Sequence, residues 1–68
     1  MTDPLTIHIE RKDGGFDAVV EWIDRDGLHV GWAGWSKDRA RAEAIGARYA
    51  AKVAPHMPTR FFSLWNAA

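Results

Sequence analysis

Hydrophobic and polar residues alternate with period two at the start of the chain. Leu5-Thr6-Ile7-His8-Ile9-Glu10-Arg11 puts Leu5, Ile7 and Ile9 on one side, the pattern of a half-buried strand. Asp13-Gly14-Gly15 supplies residue types that accept positive φ in a tight reversal. Alternation resumes over 16–23, with Phe16, Ala18, Val20 and Trp22 on one side and Asp17, Val19, Glu21 and Ile23 on the other. Both faces of this second strand are therefore partly apolar. Asp24-Arg25-Asp26-Gly27 reads as a type I hairpin turn ending on glycine, and Leu28, Val30 and Trp32 mark a third strand. The three strands predict an antiparallel meander whose core side holds Leu5, Ile7, Ile9, Val20, Trp22 and Val30.

Gly31 and Gly34 interrupt the pattern, where glycine suits a bulge or a close approach by another backbone. Beyond them the period becomes helical. Ser36 is the expected N-cap, Trp35 can pack on the first turn, and the helix runs over 37–54 until Pro55 stops it. Ala42, Ile45, Tyr49 and Val53 form the expected buried stripe, with Ala42, Gly46 and Ala50 as a second row of small residues for close contact with the sheet. After the loop Pro55-His56-Met57-Pro58, residues 59–65 predict a fourth strand, with Phe61, Ser63 and Trp65 on one side and Phe62 and Leu64 on the other. The chain thus reads as one α+β domain over 1–68 in the order β-β-β-α-β: a meander plus one helix packed on one face of a four-stranded sheet. Right-handed crossover places strand four parallel beside strand one, in spatial order 3-2-1-4.

Composition sharpens this picture. Four tryptophans, three phenylalanines and one tyrosine are more large apolar material than one helix and one sheet face require. Some of it is expected to face outward or to meet a partner. With no cysteine, no disulfide or thiolate-zinc staple is available, and the aromatics are expected to stabilise the small core. Met1-Thr2-Asp3-Pro4 lacks the basic and apolar regions of a signal peptide, and no apolar run approaches the roughly 20 residues of a membrane span, so the expected setting is cytoplasmic, away from membranes. The net charge is zero but unevenly spread. Residues 1–36 hold seven carboxylates against three cations, a net −4, whereas residues 37–54 hold five cations against two carboxylates, a net +3.

Catalysis has no foothold in the sequence. G-x-S-x-G, H-E-x-x-H and phosphate-loop patterns are absent, so no enzyme is expected. His8 and His29 are expected on the polar sheet face with Glu21 between them. Two imidazoles and a carboxylate could ligate zinc, but histidines on a solvated face are ordinary, and no metal or cofactor is expected. Lys37, Arg41, Arg48 and Lys52 are spaced to align along the helix, as a phosphate-backbone contact or simply as a solvated face. The second sheet face is the stronger candidate, since apolar patches rimmed by polar groups mark interaction sites. Its expected binding residues are Val19, Ile23, Phe61 and Trp65, with Asp24 and Asp26 at the hairpin tip; a strand-four aromatic, Phe61 or Phe62 depending on register, joins them.

Gly31-Trp32-Ala33-Gly34-Trp35-Ser36 leading into Lys37-Asp38-Arg39-Ala40 resembles the strand-glycine-helix junction of HicB-type antitoxins, across residues 20–60. That family's domain has the same element order and binds a small toxin ribonuclease. Its helix begins with acidic residues, whereas this one begins with Lys37. Over its whole length the chain also resembles, in size and architecture, the small phage inhibitors of bacterial defence complexes, including anti-CRISPR proteins. That resemblance implies a non-enzymatic inhibitor that docks on a nucleoprotein complex, with the acidic tips at Asp13, Asp24 and Asp26 facing a basic surface. The expected partner is a protein, either a host defence complex or a second copy of the chain. The alternative is an antitoxin-like or nucleic-acid-binding regulator using the basic helix.

Overall fold

The period-two segments form strands and the period-3.6 segment forms a helix. The computed structural model describes residues 5–63. In it β1 spans Leu5–Lys12, β2 Gly15–Asp24, β3 Gly27–Ser36, α1 Arg39–Val53 and β4 Thr59–Ser63. The strands make one sheet in the order β3-β2-β1-β4, with β4 parallel to β1 and the other neighbours antiparallel, as the crossover argument requires.

Local chemistry closes both hairpins. Lys12 pairs with Gly15, and the two residues between them, Asp13 and Gly14, have φ of 52° and 78°. Two consecutive positive φ values match the right-handed twist of the flanking strands. In the second hairpin the Asp26 N–H donates to Asp24 Oδ1 at 2.8 Å, and Gly27 takes a φ of 116°.

The helix covers one sheet face. Leu5, Ile7, Ile9, Ala18 and Val20 are fully buried beneath Ala42 and Ala50. A Cβ placed on Gly46 would lie 2.6 Å from Ile7 Cγ2, so the missing side chain is what lets α1 come this close. The row Ala42, Gly46, Ala50 is therefore the central contact. Ile45 and Tyr49 are only half-buried, and Val53 is exposed, unlike the stripe expected for them. Among the described residues the large fully buried side chains are all aliphatic; Phe16, Trp22 and Tyr49 pack around the margin rather than forming the centre.

Two further expectations are corrected. The helix begins at Arg39 rather than at 37, because β3 continues through Ser36, whose Oγ accepts the Asp38 N–H at 3.2 Å. Asp38 is the N-cap and makes no side-chain capping bond. Val30, expected in the core, is 62% exposed. In the β2–β3 register Val20 faces Gly31 and Trp22 faces His29, so the helix-side positions of β3 are His29 and Gly31, while Leu28, Val30 and Trp32 point away. The Tyr49 side chain occupies the space that a Cβ on Gly31 would need.

Candidate functional site: the uncovered sheet face

A bulge in β3 decides what this face displays. Val19 pairs with Trp32 and Ala18 with Gly34, leaving Ala33 as an extra residue. In an unbroken strand Trp32 and Trp35, three residues apart, would point to opposite faces. The extra residue shifts the parity, so Trp35 pairs with Asp17 and both tryptophans share the face away from the helix. Beside them, cross-strand pairs set Val30 next to Glu21 and Leu28 next to Ile23. Ile23, Leu28, Val30, Trp32 and Trp35 are all exposed, in one continuous apolar area along β2 and β3.

Both indoles are fixed by hydrogen bonds. Trp32 Nε1 donates to Asp17 Oδ1 at 3.1 Å, and Trp35 Nε1 donates to the Lys12 carbonyl at 2.8 Å. Asp17 is only 6% exposed, with Lys12 Nζ 3.8 Å from its second oxygen. The Trp35 ring lies over Gly15, where any side chain would collide with it. The polar atoms of the two rings are thus satisfied within the fold, while Trp32 keeps 62% of its surface open. Polar groups complete the face: His8 Nε2 lies 2.7 Å from Glu21 Oε1, and Arg60 Nε donates to Thr6 Oγ1 at 3.3 Å.

The residues expected at this site are only partly brought together. Val19 is half-buried and Ile23 exposed on the uncovered face, as expected. Phe61 pairs with Ile7 and so belongs to the helix side, where it is 49% exposed; it does not join Val19 and Ile23. The register places Phe62, not Phe61, opposite His8. Trp65 lies outside the described residues. Leu28, Val30, Trp32 and Trp35 were not among the expected binding residues. The signal available for them was the glycine pair around Trp32, which suggested a bulge without locating it.

The histidines separate. His8 and Glu21 share the uncovered face, but His29 stacks on Trp22 on the helix side, with ring centroids 5.1 Å apart. His8, Glu21 and His29 therefore form no common ligand set. Asp24 and Asp26 are exposed at the hairpin end. The Asp26 N–H, and then the His29 ring 2.9 Å away, hold the Asp24 carboxyl below its ordinary pKa. Ligand atoms of Asp24, Asp26 and His29 lie within 4.8 Å of one another, but Asp24 Oδ1 already accepts these turn hydrogen bonds.

The basic residues occupy the other layer. Arg41, Arg48 and Lys52 line a groove of about 540 Å³ with Ala33, Ala44, Ile45 and Tyr49. Lys37 precedes the helix and is not part of this wall. Among the described residues no helix is long and apolar enough to cross a membrane. Comparison with family models, with curated proteins and with solved structures gave no match to this chain.

Proposed function

We propose that the chain is a non-enzymatic protein-binding domain that docks through the uncovered sheet face, with Trp32 as its central anchor. The observation that carries this reading is the pair of hydrogen-bonded, outward-facing tryptophans set among exposed Ile23, Leu28 and Val30. Association ordinarily costs about 0.5–1.5 kcal/mol for each mobile side chain it immobilises. Here the fold has already ordered the rings, and tryptophan is the residue type most enriched among interface anchors. Glu10, Asp17 and Glu21 share this face with Lys12 and Arg60, and such a mixed charge set suits a protein partner with polar groups of both signs at its rim.

The most concrete form of this proposal is a small inhibitor that docks on the basic surface of a bacterial defence nucleoprotein complex, in the cytoplasm. Supporting that form are the acidic fringe at Glu21, Asp24 and Asp26 and the resemblance in size and architecture. The test uses immobilised wild-type protein and a Val30→Lys/Ile23→Glu variant. Partner capture and oligomeric mass in solution are measured for each, beside thermal melting. Loss of association with a near-native melt supports the interface. Unchanged association moves the site off this face, and a collapsed melt would mean that the face is core.

A further inference from the structure

The groove beside α1 marks a second surface, which adjoins the uncovered face along the edge of β3. We infer that the free edge of β3, together with the cationic flank of α1, accepts an extended acidic segment of another protein by strand addition.

Three observations converge on this edge. First, β3 has β2 on one side and no strand on the other among the described residues. An edge strand leaves alternate backbone N–H and C=O groups unpaired, ready for a further strand. Its regular part, Gly27-Leu28-His29-Val30-Gly31-Trp32, contains none of the lysine or proline that commonly blocks such pairing. Second, the helix overhangs this edge. Tyr49 lies over Gly31, and a Cβ on Gly34 would be 2.8 Å from Ile45 Cγ2. Arg41, Arg48 and Lys52 project from the flank beyond Ile45 and Tyr49, opposite the buried row, and wall the groove. Third, these three cations make no ion pair with any described residue.

The geometry selects the occupant. Side chains of an added strand alternate between the two sheet faces. Those on the helix side meet Arg41, Arg48 and Lys52, so acidic residues fit there. Those on the other side extend the row of Leu28, Val30 and Trp32, so apolar residues fit there. The matching segment therefore alternates acidic and apolar residues. A second copy of this chain is a poor match, because antiparallel β3–β3 pairing would bring two sets of these cations face to face. Such like-charge juxtaposition is a recognised barrier to wrong pairing.

The test is fluorescence anisotropy with a labelled peptide of about six residues, an ordinary strand length, alternating glutamate with valine or threonine. Three controls accompany it: the same peptide with lysine for glutamate, the same peptide N-methylated at alternate amides, and a short single-stranded oligothymidylate. The glutamate peptide is expected to bind at low salt. The Arg41→Glu/Arg48→Glu variant, with Lys52→Glu as an independent second variant, should weaken it by about tenfold or more. N-methylation should abolish binding, because it removes the strand hydrogen bonds but not the charge. Equal binding of the lysine peptide, or full retention after N-methylation, would overturn the inference. So would tighter binding of oligothymidylate, which would make the groove a nucleic-acid site, and so would failure of the glutamate peptide to bind.

Discussion

Gly46 shows how one residue sets the distance between layers. Alanine is the better helix former by about 1 kcal/mol, so propensity alone favours replacing this glycine. The added Cβ, however, would lie 2.6 Å from Ile7 Cγ2 and 3.4 Å from Ala18 Cβ in a fully buried contact. Overpacking should win: Gly46→Ala is expected to lower the melting temperature despite its propensity, and Gly46→Leu to cost about 1–3 kcal/mol in urea titration. A melt raised by Gly46→Ala would place the helix farther from β1. Asp17 has the matching role on the other face. Its buried carboxylate accepts the Trp32 indole N–H, so Asp17→Ala leaves that donor without its protein partner and should cost about 1–3 kcal/mol. Asp17→Asn keeps an acceptor and should cost less by the same measurement.

Among the elements, the β2–β3 hairpin carries the clearest acid dependence. The Asp26 N–H and the His29 ring hold the Asp24 carboxyl below its ordinary pKa, so folding favours the ionised form. Stability from this group is fully present above the unfolded-state pKa and is lost as pH falls through the lower folded value. Thermal melts of wild type and Asp24→Asn should therefore differ most near neutrality, with the gap narrowing below about pH 4. A gap that stays constant into acid would show that the turn does not favour the carboxylate. The third strand illustrates a different control. Its single extra residue at Ala33 brings Trp32 and Trp35 onto one face. Deleting Ala33 should leave a regular strand in which Trp32 and Trp35, then two positions apart, keep the same face, and retention of the Trp35 Nε1 bond to Lys12 would report it in the indole N–H resonances.

For the whole molecule, one helix on one side of the sheet makes the two faces unequal. Val20 and Val30 belong to adjacent strands, yet Val20 is fully buried and Val30 is 62% exposed. Val20→Lys should prevent folding, because it buries an unpaired charge. Val30→Lys should leave stability within about 0.5 kcal/mol of wild type, as for an ordinary surface position. Circular dichroism melts of the two variants decide this, and equal destabilisation would reverse the assignment of faces. The two layers also differ in charge, with Glu10, Asp17 and Glu21 interspersed with Lys12 and Arg60 on the open sheet face, and Arg41, Arg48 and Lys52 together along the helix. Partners of unlike chemistry fit the two sides.

The sequence by itself determined the element order, both hairpin turns, the strand order 3-2-1-4 and, of the four cations it aligned, the helical three Arg41, Arg48 and Lys52 but not Lys37. These follow from local rules: period-two and period-3.6 patterns, glycine at positive φ, and the chirality of a crossover between parallel strands. The tertiary structure alone decided which residues of β3 face outward, because a bulge changes strand parity without changing composition. It placed Val30 and Trp32 in the open, set Phe61 on the helix side, and moved His29 away from His8. It also gave the centre of the helix contact to Ala42, Gly46 and Ala50 rather than to the larger Ile45, Tyr49 and Val53. The helix contact went to the small residues because only they let α1 approach Ile7 so closely, and for the strand residues the reason is parity. A one-residue shift in a strand costs little locally but inverts its side chains, and only the distance at which helix and sheet can close selects the shift that survives.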